Sequence, residues 1–304
     1  MARRATIAVM NGNLEPLELV VRRWYAVRAR DLPWRRPGTS PWAVLVSEFM
    51  LQQTPVARVL PVYDAWLLRW PTPAALADAA PGEAVREWGR LGYPRRALRL
   101  HAAAVAIDAE HSGVVPSSVE ALLALPGVGA YTARAVAAFA YRQRHPVLDT
   151  NVRRVLARCL GGRADAAGAS VTTAEWALAS SVLPDDPEDA ATYSVAVMEL
   201  GALVCTARSP SCDICPLVPR CAWRAAGYPL DDGPAKRPQG YAGTDRQVRG
   251  RLLAVLRDAE GPVPAAALEA VWSDEGQRDR SLAGLLDDGL VEARPGGAYS
   301  LPGL

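Results

Sequence analysis

Lysine is nearly absent from this chain. Lysine and arginine together number 34, and Lys236 is the one lysine among them. A side-chain amine nucleophile could come only from that position, which lies in a stretch rich in glycine and proline. Histidine is scarce as well. His101, His111 and His145 are scattered, and nothing in their spacing makes a metal site. No apolar run approaches the ~18 residues of a helical membrane span, so no membrane association is expected. The first ten residues hold two arginines and only a scrap of apolar sequence, too short for a secretory signal. These absences predict a cytoplasmic protein, where structural disulfides are rare. Net charge is small, +2, so any surface for nucleic acid has to be local. Local basic clusters are Arg28, Arg30, Arg35 and Arg36, then Arg153, Arg154 and Arg158. Between 40 and 230 no alternation lasts long enough for a sheet.

What is present is helix. A chain of 304 residues predicts two or three domains, and 50% hydrophobic with 22% charged residues is ordinary for a globular protein. Leu14, Leu17, Val20, Val21, Trp24 and Val27 recur at helical spacing over 14–29. A second apolar pattern covers 41–62, and further helices are expected over 55–69, 73–79, 82–89, 94–110 and 117–124, separated by proline and glycine. The centre of the chain is 117–151, where two apolar helices flank Leu125-Pro126-Gly127-Val128-Gly129. Ser117 and Glu120 read as a capping box for the first. Pro126 stops it, and Gly127 allows positive φ. The second helix runs from Ala130 to Tyr141. A glycine turn that feeds a helix N-terminus is a ready anion site, open to a phosphate. On its own the turn reads first as an ordinary helix connection.

Residues 227–245 have linker composition. Beyond them, 246–304 predicts three short helices (246–258, 265–272, 279–288) and a terminal hairpin, a winged-helix-like domain. Such domains contact DNA or a partner protein. Acidic Asp231, Asp232, Asp287 and Asp288 temper its basic charge.

Cys205, Cys212, Cys215 and Cys221 spell C-x6-C-x2-C-x5-C on a proline-bent segment. Zinc usually takes two paired knuckles, and only one C-x2-C pair exists here. The asymmetric spacing suits a 4Fe–4S cluster held at its corners. Arg208 and Arg220 on the same loop would let the cluster brace a phosphate-contacting surface. Cys159, in an apolar helical pattern, reads as a buried core thiol.

Taken together, Ser47-Glu48-Phe49-Met50-Leu51-Gln52-Gln53-Thr54, LPGVGAYTA, LDTNVRRVLAR and the four cysteines resemble the helix–hairpin–helix DNA glycosylases that carry an iron–sulfur cluster. Within that superfamily the closest likeness is to the MutY-type adenine DNA glycosylases, over about residues 14–225. The resemblance implies an all-α, two-lobed core. Residues 1–35 and 148–226 would form the cluster-bearing lobe, 36–147 the inserted lobe with the hairpin, and 246–304 the appended winged-helix-like domain.

Rupture of an N-glycosidic bond develops positive charge on the sugar and negative charge on the departing base. An acid near the base and a carboxylate near the anomeric carbon answer both. The resemblance assigns the acid to Glu48, whose apolar neighbours would raise its pKa. It assigns the carboxylate to Asp149, and the orienting of this pair and of the water to Tyr131 and Asn151. In isolation Glu48 would be a solvated helix glutamate and Asp149 an N-cap. Lyases of the superfamily carry a lysine where this chain has Tyr131, so hydrolysis without a Schiff base is implied. A base inside a duplex has to be flipped out. Gln53 matches the wedge that fills the gap, and Trp34 and Arg35 match residues beside the flipped adenine. Gln52 and Leu51 would share base contact, and Gly127, Val128 and Gly129 would grip the backbone.

Three positions depart from the family pattern. Leu91-Gly92-Tyr93-Pro94 has proline where the family has a second tyrosine that stacks beside the opposite base. Val195 replaces a Gln or Glu. A winged-helix-like domain stands where many members carry a Nudix-like reader of 8-oxoguanine. The expected partner is double-stranded DNA with adenine opposite 8-oxoguanine or guanine. A monomer near the nucleoid is expected, with no known partner for the winged-helix-like domain. Two other readings compete: a uracil or thymine mismatch glycosylase, and a non-enzymatic iron–sulfur regulator.

Overall fold

The computed structural model describes residues 15–166, 168–230 and 240–304. Lys236, Leu14, Asp231, Asp232 and the rest of 231–239 within the predicted linker lie outside the described residues. In chain order the helices are α1 (Leu17–Arg28), α2 (Pro41–Leu51), α3 (Val56–Arg69), α4 (Pro73–Ala77), α5 (Pro81–Trp88) and α6 (Arg95–His111). Next come α7 (Val119–Ala124), α8 (Ala130–Tyr141), α9 (Thr150–Cys159), α10 (Thr173–Ser181) and α11 (Pro187–Leu203). The rest are α12 (Ala222–Ala225), α13 (Asp245–Asp258), α14 (Ala265–Glu269) and α15 (Glu275–Asp287). Strands β1 (Val263–Pro264), β2 (Glu292–Arg294) and β3 (Ala298–Ser300) form one antiparallel sheet in the order β1-β3-β2. The strand at β1 is an addition to the hairpin read from the sequence.

Local chemistry sets these starts and stops. Pro41, Pro73, Pro81 and Pro187 open their helices, where a missing N–H costs nothing. Ser40, Thr72, Asp149, Asp186 and Asp274 cap theirs with a side-chain oxygen. Thr172 and Glu175 make a full capping box on α10. The box expected from Ser117 is not formed. Ser118 is the cap, accepting from Ala121 N–H, which leaves Glu120 one position short of the reciprocal bond. The helix expected over 41–62 ends at Leu51, and a turn separates it from α3.

The chain divides into two compact units. One comprises the residues up to Asp31 together with Arg142–Asp232. The other comprises Leu32–Tyr141 together with Gly233–Leu304. In the first, α1 lays Leu17 and Val21 into a core shared with Val152, Leu156, Val197 and Leu200 of α9 and α11. Its C-terminal end is pinned by charge. Glu199 is fully buried and takes both arms of Arg30, at 2.7 Å each, plus the Arg30 backbone N–H at 3.1 Å. A buried carboxylate needs all of these partners, because desolvation alone would be costly.

The second unit is built round α2. Every residue from Trp42 to Met50 is buried, as expected of a helix that is apolar on all faces. Its core also takes in Val248, Leu252, Leu253, Leu256, Leu268 and Leu285, from the segment that composition sets apart as a separate body. Arg86 on α5 donates to the carbonyls of Arg257 and Ala259, and Arg257 donates back to Val85. The Gly82 N–H donates to Pro302 O at 2.7 Å. A Cβ at Gly82 would lie 2.6 Å from that oxygen and 2.9 Å from Leu301 Cβ. Gly82→Ala is therefore expected to force the chain end off α5. The cost should be roughly 1–3 kcal/mol, the range for overpacking. Thermal denaturation would show it as a lowered midpoint, and an unchanged midpoint would mean this contact is loose.

Candidate active site and cluster loop

Asp149 caps α9, so the bland reading of this residue is correct as far as it goes. Its Oδ1 accepts the Val152 N–H at 2.6 Å. Oδ2 accepts from Asn151 Nδ2 at 2.8 Å. Asn151 Oδ1 in turn accepts from Arg154 Nη2 at 2.7 Å. The amide orientation follows, since its nitrogen must face a carboxylate and its oxygen a guanidinium. Burial pushes the Asp149 carboxyl above the usual range. The Val152 and Asn151 hydrogen bonds and the Arg154 charge oppose that shift without cancelling it. This cap therefore carries more constraint than capping needs.

Arg154 ties the carboxylate to the cysteine loop. Its Nε donates to Cys205 O and its Nη2 to Gly201 O, both at 2.7 Å. Gly201 lets α11 come this close. A Cβ there would lie 2.7 Å from the Asn151 Cβ. Arg158 works one turn later: it donates to Thr206 O at 2.7 Å, Ala207 O at 3.0 Å and Cys205 Sγ at 3.4 Å, and lies 4.5 Å from the Trp223 ring centre. Arg153 forms a two-armed pair with Glu175. All three arginines are buried. The expectation that Arg153, Arg154 and Arg158 form a basic surface is thus overturned. Their stems follow the inner face of α9, and loop carbonyls take up their donors. Arg30 of the first cluster is likewise engaged, on Glu199, and Arg220 donates to Glu15 O.

Cys205, Cys212, Cys215 and Cys221 line one cavity together with Arg158 and Trp223, and none is in a disulfide. Two short 3-10 turns, Cys212–Ile214 and Val218–Arg220, bend the loop so that its thiols share that space. Among the described residues no group of His, Cys, Asp or Glu is arranged for a single ion. Four thiols around a cavity, with arginines behind them to offset thiolate charge, fit a polynuclear iron–sulfur cluster. Cys159 stays in the core of α9, and burial first, then neighbouring thiols, push it up to about 12.

In the other unit, Glu48 sits in the buried middle of α2, 6% exposed. The hairpin packs directly on this helix. Gly127 has φ +76, and a Cβ there would meet Arg99 Cβ at 2.7 Å and Phe49 Cε1 at 3.1 Å, so both conformation and space require glycine. Gly129 is exposed with nothing near it. Tyr131, half-buried, is the second residue of α8.

The comparisons with known proteins bear on both units. Residues 46–177 match the description "HhH-GPD superfamily base excision DNA repair protein", and residues 205–221 match "Iron-sulfur binding domain of endonuclease III". The adenine DNA glycosylase of Mycobacterium tuberculosis is 59% identical over 281 residues, 92% of this chain and 91% of that one. The chain belongs to the adenine DNA glycosylase family. The Mycolicibacterium smegmatis member is 57% identical over 292 residues, 96% of this chain and 97% of that one. Among solved structures, a thermostable thymine-DNA glycosylase aligns with a TM-score of 0.62 and 25% identity, covering 69% of this chain and 95% of its own. The resident cofactor of this glycosylase family at the cysteine loop is a 4Fe–4S cluster.

Other residues read from sequence fall as follows. Gln52 caps α2 and is half-buried, while Gln53 is exposed with φ 54, a left-handed backbone unusual outside glycine. Leu51 packs against the core. Trp34 is itself core, with its ring 5.2 Å from Tyr63, and Arg35 beside it reaches part of the surface. Val128 has a buried side chain and an N–H that donates to Leu125 O, while Gly127 and Gly129 on either side of it are exposed. Sequence reasoning missed Gly201 and the structural use of Arg154, whose partners are remote in the chain. It missed Arg96 altogether.

Proposed function

We propose that this glycosylase hydrolyses the N-glycosidic bond of adenine mispaired with 8-oxoguanine or guanine in double-stranded DNA, acting as a monomer. The observation that carries this reading is the identity to adenine DNA glycosylases across nine-tenths of both chains. Glu48 protonates adenine N7, so the base departs neutral. Buried in α2, its carboxyl is shielded from bulk water. As a carboxylate, Asp149 offsets the cationic sugar, and the Asn151 amide holds its Oδ2. Tyr131 stands where a lyase would have an amine, so the electrophilic sugar passes to water. The 4Fe–4S cluster, held by Cys205, Cys212, Cys215 and Cys221, supplies a cross-link between four points of one loop. Arg154 carries that bracing to Asn151 and Asp149.

Single-turnover excision on duplexes with A opposite 8-oxoguanine, A opposite G, U opposite G and T opposite G tests the reading. Adenine is expected to be released from the first two. The preference for 8-oxoguanine should be smaller than in relatives with a Nudix-like domain, since Pro94 has no ring to stack and one stacked aromatic is worth ~1–3 kcal/mol. Release of uracil or thymine without adenine would instead support the mismatch glycosylase reading. Tight binding with no base released would support the regulator.

A further inference from the structure

Arg96 opens into a part of the second unit where two turns meet. It lies in the first turns of α6 and is buried, 5% exposed. Nη1 donates towards three carbonyls, Phe49 O at 2.8 Å, Met50 O at 3.1 Å and Gln52 O at 2.6 Å. Nη2 donates to Thr54 Oγ1 at 2.9 Å and Gly92 O at 3.0 Å. The last carbonyls of a helix have no intrahelical partner, and here the arginine takes those of α2. The guanidinium also lies 5.1 Å from the Trp88 ring centre and 5.6 Å from that of Tyr93. Burial lowers it to about 10, so it stays charged at neutral pH.

One cation thus fastens two segments, 52–54 after α2 and 91–94 before α6. Each carries an exposed non-glycine residue in left-handed backbone, Gln53 at φ 54 and Tyr93 at φ 47. That conformation is unfavourable for a residue with a Cβ and persists only where the surroundings impose it. Neither side chain is needed by the core. A side chain that displaces a base from the stack has to arrive from a platform already ordered, or ordering it would oppose insertion.

We propose that Arg96 is a positioning residue for base extrusion: it clamps both turns so that Gln53 and Tyr93 meet the duplex preformed. This rests on the glycosylase reading above. The planar fork is essential, because a single ammonium cannot span five acceptors on two turns.

The test uses the full, cluster-loaded chain and its Arg96→Met and Arg96→Lys variants. 2-Aminopurine placed beside the mispaired adenine reports unstacking whether or not a base is cut. Arg96→Met is expected to keep helix content and iron, and to slow unstacking and duplex excision roughly tenfold to a hundredfold, as loss of charged hydrogen bonds predicts. Excision of an adenine held unpaired in a bulge should change little. Equal loss on both substrates, or unchanged unstacking, overturns the proposal, as does full recovery by lysine. If Arg96→Met does not fold, Gln53→Ala decides the matter in the lysine background. It should slow unstacking no further there, and an additive loss would separate Arg96 from Gln53. If the wild-type chain unstacks the reporter but releases no adenine, the substrate reading fails while fluorescence still decides the clamp.

Discussion

Asp149→Asn is expected to bind a mismatched duplex and to release almost no adenine. The amide has nearly the shape of the acid, and its oxygen can still accept the Val152 N–H, so the cap on α9 survives. What is lost is the negative charge beside a cationic transition state. Removal of such electrostatic stabilisation costs roughly a hundredfold to a thousandfold or more. Stability should move the other way or hardly at all. Burial raises the Asp149 carboxyl in the folded chain, so as pH rises the unfolded chain loses this proton first. Asp149 therefore subtracts stability above the ordinary carboxylate range, and adds none of this penalty below it. The asparagine removes that penalty but sets two amide nitrogens against each other at Asn151, and the net change is expected within about 1 kcal/mol. The same shift predicts that wild-type excision fades on the acid side at a pH above the usual aspartate value of 3.8. Undiminished single-turnover excision by a folded Asp149→Asn would remove this residue from the mechanism.

Cys212→Ser is expected to yield protein without its iron, with the loss of DNA affinity following from the loosened loop. The purified wild-type chain should be brown and carry four irons, as a cluster bound by four thiolates requires. Cys159→Ser is the matched control. Cys159 packs in the core of the same unit and burial holds it as a thiol, so its iron should be unchanged. Metal analysis that finds zinc in place of iron, or iron lost only with Cys159, would overturn the assignment of the ligands. The loss should reach catalysis as well. Cys205 O is an acceptor for Arg154, and Arg154 holds the amide that orients Asp149.

Much of this protein was legible in order along the chain. Proline and capping residues mark helix starts within a residue or two, because capping and φ restriction are local effects. The hairpin glycine could be read from its turn, and the structure adds a second reason for it, the approach of Arg99 and Phe49. The cysteines could be read from spacing alone, since one short loop brings all four to one cavity. Arginines defeated the reading. Charge on paper suggested that Arg153, Arg154 and Arg158 face a polyanion, yet each is buried on acceptors of its own unit. The C-terminal segment read as detached from its neighbours by composition, yet Gly82 and Arg86 meet it without room to spare.

By itself, then, the sequence marked most of the helices and their starts, the glycine turn and the four cysteines that share one cavity, while Glu48 and Asp149 were singled out by resemblance to a known family. The helices, the turn and the cysteine spacing follow from periodicity, restricted backbone and donor chemistry, all of which act over a few residues. Only the tertiary structure decided which buried arginine serves which carbonyl, and so which turns are held rigid. Arg96 lies 44 residues from Gln52, and Arg154 lies 51 from Cys205. Over such separations a guanidinium's choice of partner depends on how helices pack, and no local property of the chain encodes it.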